Sequence, residues 1–167
     1  MNNIILIGMP GSGKSTVGVL LAKALGYSFI DTDLIISRKA GKTLQEILDN
    51  DGLDVFLEME SEVGEQLVCN HTVVATGGSM VMSSKAMECL KKSGKVVYID
   101  VPLDEIKKRV TNIKTRGIAF HKGETLDDVF CERTPLYKKY ADITVEFKEG
   151  SVEQTIENVL NQLNLHK

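Results

Sequence analysis

The sequence predicts an α/β protein built on a parallel sheet, and three observations point there. Short apolar, β-branched runs alternate with segments of helical periodicity. The first such run, Asn3-Ile4-Ile5-Leu6-Ile7, leads directly into Gly8-Met9-Pro10-Gly11-Ser12-Gly13-Lys14-Ser15, a complete G-x-x-x-x-G-K-[ST] spacing. A helical pattern, Thr16 to Leu25, follows at once. Strand, glycine-rich turn and helix in that order form the context in which this spacing cradles phosphate. At a glycine usage of ~7%, a chance match in a chain this short arises on the order of once in a hundred or less.

Taken in order, the first strand is short and apolar, as a strand buried on both faces should be. The first helix stops at Gly26. Tyr27-Ser28-Phe29-Ile30 reads as a second strand that ends in Asp31-Thr32-Asp33. Helical patterns fill residues 33–68, with Thr43-Leu44-Gln45-Glu46 as a capping box. Thr72-Val73-Val74-Ala75 is a third strand, running into Thr76-Gly77-Gly78-Ser79. A fourth strand covers Lys95 to Asp100, and a helix follows Pro102. Residues 111–123 lack periodicity and read as a mobile loop carrying Arg116. Helix resumes from Thr125 to Tyr140, the last strand is Ile143 to Phe147, and the closing helix starts at Ser151, where Gln154 completes another capping-box pattern. Ligands of open parallel sheets gather at the carboxyl ends of the strands. The phosphate loop, Asp31-Thr32-Asp33 and Gly77-Gly78 are therefore expected on one rim.

The chain of 167 residues reads as a single domain, long enough to bury a core without disulfides or metals. A formal net charge of −3 argues against a general nucleic-acid binder. Cys69, Cys89 and Cys131 contain no C-x-x-C pair, so buried reduced thiols are expected and a zinc site is not. No apolar run approaches membrane-spanning length and no signal peptide is evident, which makes a cytoplasmic protein the expectation. No heptad or long apolar seam stands out, so a monomer is expected.

The residues themselves suggest chemistry. Glycines 11 and 13 let backbone N–H groups turn inward around phosphate oxygens, and the helix that follows adds partial positive charge. Lys14 can reach the β- and γ-phosphates, and the Ser15 hydroxyl can ligate Mg²⁺. Asp31 and Asp33, two residues apart in extended chain, can hold Mg²⁺ through water or take a proton from an attacking hydroxyl; either can instead cap a helix. Gly77-Gly78 allows close backbone approach to a ligand or is an ordinary strand-to-helix turn. Arg109, Arg116 and Arg133 carry forks suited to phosphate and carboxylate oxygens, although any one arginine is more often a surface charge.

Together, the loop, Phe29-Ile30-Asp31-Thr32-Asp33, Ala75-Thr76-Gly77-Gly78, Arg116 and Arg133-Thr134-Pro135-Leu136-Tyr137 resemble the shikimate kinase family nearly end to end. The resemblance implies a P-loop NTPase fold, a three-layer α/β/α arrangement with a five-stranded parallel sheet. It implies an acceptor-binding helical segment at about 31–61 and a lid at about 111–123. The implied reaction moves the γ-phosphate of ATP, with Mg²⁺, to the 3-hydroxyl of shikimate, a small hydroxy acid. Gly11, Ser12, Gly13, Lys14, Ser15 and Thr16 would hold the nucleotide, with Arg109 against adenine and Arg116 as the lid arginine. Ser15 and Asp31 would serve the metal. Lys14, Asp33 and Arg116 would be catalytic. Asp33, Gly77, Gly78, Arg133 and Glu60 would contact the acceptor, Arg133 through its carboxylate.

Four positions depart from the family pattern. Its Phe-Arg-x-x-Glu is Phe56-Leu57-Glu58-Met59-Glu60, its triple glycine is Gly77-Gly78-Ser79, its lid Arg-Pro-Leu-Leu is Arg116-Gly117-Ile118-Ala119, and a bulky pocket aromatic is Leu48. Losing one of two arginines around a carboxylate removes a charge-assisted hydrogen bond of ~1.5–3 kcal/mol, a roughly ten- to hundredfold loss of affinity. Glu60 then either pairs with Arg133 or is free to receive a cation. Shikimate is the first expectation. The alternatives are another small hydroxylated acceptor such as a hydroxy amino acid, or a nucleotide-binding module that has lost transfer chemistry.

Overall fold

A computed structural model describes residues 2–110, 118–149 and 151–165. Five strands, β1 (Asn3–Ile7), β2 (Ser28–Asp31), β3 (Thr72–Ala75), β4 (Gly94–Asp100) and β5 (Ile143–Glu146), form one sheet in the order β2-β3-β1-β4-β5. Every pairing is parallel, with Ile5 of β1 opposite Val74 on one side and Val96 on the other. β1 is central and all five of its residues are buried, which explains why it alternates with nothing polar. Helix α1 (Lys14–Leu25) and the last helix, α8 (Val152–Leu163), pack side by side on the sheet. Helices α5 (Ser84–Ser93) and α7 (Leu126–Tyr140) cover it elsewhere, and a short 3₁₀ turn at Met80–Met82 packs against both. The five-stranded sheet layered with helices matches the expected α/β/α class.

Strand order makes the site. From β1 the chain crosses to β2 at the sheet edge, whereas from β3, next to β1, it crosses to β4 on the opposite side. Loops after two neighbouring strands thus diverge, and a crevice opens at their carboxyl ends. Into it come the phosphate loop after β1, Asp31 at the end of β2 and Gly77-Gly78 after β3.

The helical stretch expected over 33–68 is three helices, α2 (Thr32–Ala40), α3 (Leu44–Asn50) and α4 (Leu53–Gln66). Gly41 ends α2 in the left-handed conformation, and Gly52 opens α4 at a φ of 90°; both positive-φ positions suit glycine. These helices share a small apolar cluster of their own around Ile36, Ile47, Phe56 and Val63. The Thr43 capping box forms in full, with the Glu46 N–H donating to Thr43 Oγ1 and the Thr43 N–H to Glu46 Oε2.

Three expectations need correction. Ser151 caps α8 without a side-chain hydrogen bond to the helix backbone, so the second capping box does not form; Gln154 N–H bonds the Ser151 carbonyl instead. β2 ends at Asp31 and α2 begins at Thr32, so Asp33 lies on a helix and shares no strand face with Asp31. The cysteines are free but not buried: Cys69 is half-buried and Cys89 and Cys131 are exposed. The helix after Pro102 is α6 (Leu103–Arg109). Arg116 and most of the expected lid lie outside the described residues.

Candidate active site

The cleft at this rim has a volume of about 590 Å³, a size suited to small-molecule ligands. One end is the phosphate loop. Helix α1 starts from Gly13 with no side-chain cap and no acidic residue in its first turn, so its leading N–H groups lack the acceptor that capping side chains supply to α2, α3, α5 and α7. Lys14 lies at the bottom of the cup, only 7% exposed. Its Nζ donates to the Gly8 and Met9 carbonyls, both at 2.8 Å, and to Ser12 Oγ at 3.3 Å. Among the described residues no carboxylate pairs with it. Burial pushes the ammonium down to about 8; Asp33 opposes that and Arg133 adds to it. A buried cation on neutral partners, beside an uncapped helix start, fits an incoming polyanion.

At the lip of the cup the Ser15 hydroxyl donates to Asp31 Oδ2 at 2.9 Å, while Asp31 Oδ1 accepts the Asp33 N–H at 2.9 Å. Asp31 therefore caps α2, one of the roles the sequence left open, and also sets a carboxylate oxygen on the serine. Hydroxyl plus carboxylate is an oxygen donor pair of the kind a hard divalent cation takes. Arg109, the last residue of α6, donates from Nη1 to the Gly11 carbonyl at 3.3 Å and from Nε to Glu105, with its guanidinium 4.8 Å from the Phe147 ring centre. It thereby ties the outer edge of the loop to the end of β5. Thr16 lines the same end of the cleft.

The other end is built from four segments. Asp33 enters from α2, Glu60 from α4, Gly77 to Ser79 from the turn after β3, and Arg133 from α7. Arg133 is 4% exposed and spends only Nη2, on the Ala119 carbonyl; its Nε and Nη1 are buried without a hydrogen-bond partner. Glu60 is 1% exposed, accepts the Ser79 hydroxyl on Oε1 at 2.5 Å, and has no partner on Oε2. No ion pair joins Glu60 to Arg133. Burial raises Asp33 to about 6, with the Asp31 charge adding and Lys14 opposing. Burial likewise raises Glu60 to about 7, against the pull of the Ser79 hydrogen bond. Buried polar atoms normally find partners. Three orphaned atoms clustered in one cleft mark a place where a ligand completes the bonding.

The two glycines keep this end open. A methyl group on Gly77 would meet Glu60 Oε2 at 2.5 Å and Asp33 Oδ1 at 2.7 Å, and one on Gly78 would meet Pro10 Cδ at 2.6 Å. Gly78 thus presses the turn onto the phosphate loop, while its carbonyl accepts the Tyr137 hydroxyl at 2.6 Å. Ser79 and Tyr137 take part in these hydrogen bonds, and the sequence analysis assigned neither a role in the site. Tyr137 sits four residues after Arg133, on the same face of α7, so helical spacing carried the signal. Leu57 does not line the cleft; it packs onto the Ile36–Phe56 cluster.

A parallel sheet with a phosphate-binding loop after its central strand, and a second polar pocket on the same rim, defines a small-molecule kinase of the P-loop class. A family model for shikimate kinase matches residues 10–164. A shikimate kinase from Clostridium botulinum (strain Alaska E43 / Type E3) is 35% identical over 159 residues, covering 95% of this chain and 94% of the relative. One from Sulfurihydrogenibium sp. is 34% identical and covers 98% of both chains. Among solved structures, a shikimate kinase from Acinetobacter baumannii in complex with shikimate superposes with a TM-score of 0.91 at 33% identity, covering 100% of this chain and 96% of that one. The chain belongs to the shikimate kinase family.

Proposed function

We propose that this protein transfers the γ-phosphate of ATP to a hydroxyl of shikimate, and that one domain does the whole job. The observation that carries the reading is the pair of unmet donors on Arg133, buried across the cleft from Lys14. A buried guanidinium with unmet N–H groups on Nε and Nη1 offers charge-assisted donors to a carboxylate oxygen. Shikimate offers a carboxylate for those donors and ring hydroxyls for the neighbouring carboxyl groups.

The chain's own groups then divide the work. Lys14 and the leading amides of α1 bind the β- and γ-phosphates and neutralise charge that grows in the transition state. The Ser15 hydroxyl and Asp31 would hold Mg²⁺, which would supply further charge neutralisation on the phosphates. Arg133 fixes the acceptor's carboxylate, and Gly77 and Gly78 let the ring approach the turn. Asp33 orients the attacking hydroxyl and takes its proton, a role that a carboxyl raised to about 6 performs well near neutrality. Arg109 positions the nucleotide end by bracing Gly11. Arg116 is assigned to closing the charge clamp by family resemblance.

Coupled measurement of ADP release with Mg·ATP tests the reading against shikimate and a panel of hydroxy acids and hydroxy amino acids. Shikimate-dependent release is expected. Turnover only with a hydroxy amino acid would move the acceptor, and ATP binding without turnover across the panel would make the chain a nucleotide-binding module.

A further inference from the structure

Ser79 stands where a serine usually caps a helix. It directly precedes the 3₁₀ turn Met80–Met82, yet its side chain makes no hydrogen bond to that turn. The hydroxyl crosses instead to α4 and donates to Glu60 Oε1 at 2.5 Å. Both residues are buried, Ser79 at 4% and Glu60 at 1% exposure. Among the described residues no other group bonds this carboxyl, and Oε2 has no partner. Oε2 is the oxygen beside Gly77, 2.5 Å from the point that a Gly77 side chain would occupy. Gly77, Ser79 and Glu60 all line the cleft.

A bond between α4 and the turn can serve simply to hold two elements together. The structure does that elsewhere. Ser61, next to Glu60 on α4, pairs its hydroxyl with that of Ser83, directly after the same turn, at 2.6 Å. Gly64, one helical turn beyond Glu60, admits Met80 and Ala86 so closely that a side chain there would meet Ala86 Cβ at 2.6 Å and Met80 Sδ at 2.8 Å. None of these residues lines the cleft. Ser79 is therefore not needed to seat α4. What it fixes is a carboxyl. A glutamate side chain left without a partner would spread over several rotamers. With Oε1 spent on Ser79, Oε2 is the oxygen left for a ligand, and the described residues bring it no donor.

We propose that Ser79 is a positioning residue: its hydroxyl sets the Glu60 carboxyl so that Oε2 accepts a hydroxyl of the acceptor in the cleft that Arg133 also lines. The inference rests on a polyhydroxylated acceptor, as in the function proposed above. A ligand with an O–H at this point satisfies Oε2, whereas one without it leaves a buried oxygen unpaired. The Ser79–Glu60 unit thereby discriminates among acceptors. Ser79 acts only through Glu60, so its loss shows in acceptor binding and not in the chemical step.

The test measures kcat and KM for shikimate, at saturating Mg·ATP, in the wild type, Ser79→Ala, Glu60→Ala, the double variant and Ser61→Ala, together with a crystal structure of free Ser79→Ala. Ser79→Ala is expected to raise KM about three- to tenfold with kcat nearly level, and Glu60→Ala to raise KM about tenfold or more. In the double variant the rise is that of Glu60→Ala alone, because Ser79 has nothing left to position. Ser61→Ala cuts the neighbouring tie between α4 and the turn; it lowers the melting temperature and leaves KM level. In the free Ser79→Ala structure the Glu60 carboxyl turns from Gly77 or takes more than one orientation. A level KM or an equal loss in kcat in Ser79→Ala, additive rises in the double variant, an equal rise in Ser61→Ala, or an unmoved Glu60 carboxyl in the free variant would overturn the inference. The crystal structure needs no acceptor. A Glu60 that turns in Ser79→Ala, in a protein that ignores shikimate, would therefore uphold the positioning and reject the acceptor.

Discussion

In the phosphate cup, each reactive side chain already has a partner within the protein. Lys14 is held by two carbonyls and a hydroxyl, Ser15 by Asp31, and Asp31 by the first turn of α2. In the acceptor pocket, Glu60 Oε2 and Arg133 Nε and Nη1 have none. Most of the cup's contacts span two to six residues, and the Ser15–Asp31 bond alone reaches sixteen residues along the chain. The pocket is assembled from four distant segments, and its charges are balanced only by what binds. Preorganised donors aimed at developing charge act on the chemical step, whereas unmet buried groups act on affinity and selectivity.

That contrast orders the expected effects. Lys14→Ala breaks the cup and should lower kcat by about 10²–10³ or more, read in the coupled ADP-release assay with the variant's circular dichroism unchanged. Arg133→Ala strikes the pocket. Two charge-assisted hydrogen bonds at ~1.5–3 kcal/mol each give a rise of about a hundredfold or more in acceptor KM with a smaller change in kcat. Equal losses in both parameters would mean that Arg133 belongs to the chemical step.

A smaller effect separates the halves by pH. Asp33 is raised to about 6, and with the base role proposed for it kcat/KM should hold above that value and fall about tenfold per unit below it. Asp33→Asn should abolish the acid limb together with most of the rate. The smallest effect is a control in the acceptor segment. Thr43→Ala removes the side-chain half of the α3 capping box, keeps the Thr43 N–H on Glu46 Oε2, costs about 1 kcal/mol, and should shift the melting temperature by a few degrees with kcat for the folded enzyme unchanged.

The same contrast explains what could be read in the chain. The cup is eight consecutive residues whose spacing states its geometry, and β1, α1 and the αL stop at Gly26 lie where the pattern put them. β3 and the Thr43 box were equally local and equally legible. Asp31 and Asp33 were placed on the right rim, but the strand-to-helix switch at Thr32 was hidden because alternation over two residues does not distinguish strand from helix start. The capping box at Thr43 marked the helix start that follows Gly41, whereas the break at Gly52 had no such local signal. In the pocket, Arg133 and Glu60 were named by resemblance, but Glu60 bonds a Ser79 hydroxyl nineteen residues away in the chain and does not pair with Arg133. No spacing encodes that contact. The family departure at Leu57 was plain in the sequence; that Glu60 is left with Oε2 unpartnered emerges only when α4 and the β3 turn are brought together.

The central claim is geometric: one cleft holds a polyanion on Lys14 and a carboxylate on Arg133 with Asp33 between them. A crystal structure of the protein with Mg·ADP and shikimate tests it directly. The expected result is the β-phosphate in the cup on Lys14, the shikimate carboxylate bonded to the Arg133 guanidinium, and a ring hydroxyl on Asp33. Nucleotide in the cup with shikimate absent, or bound with its carboxylate away from Arg133, would contradict it.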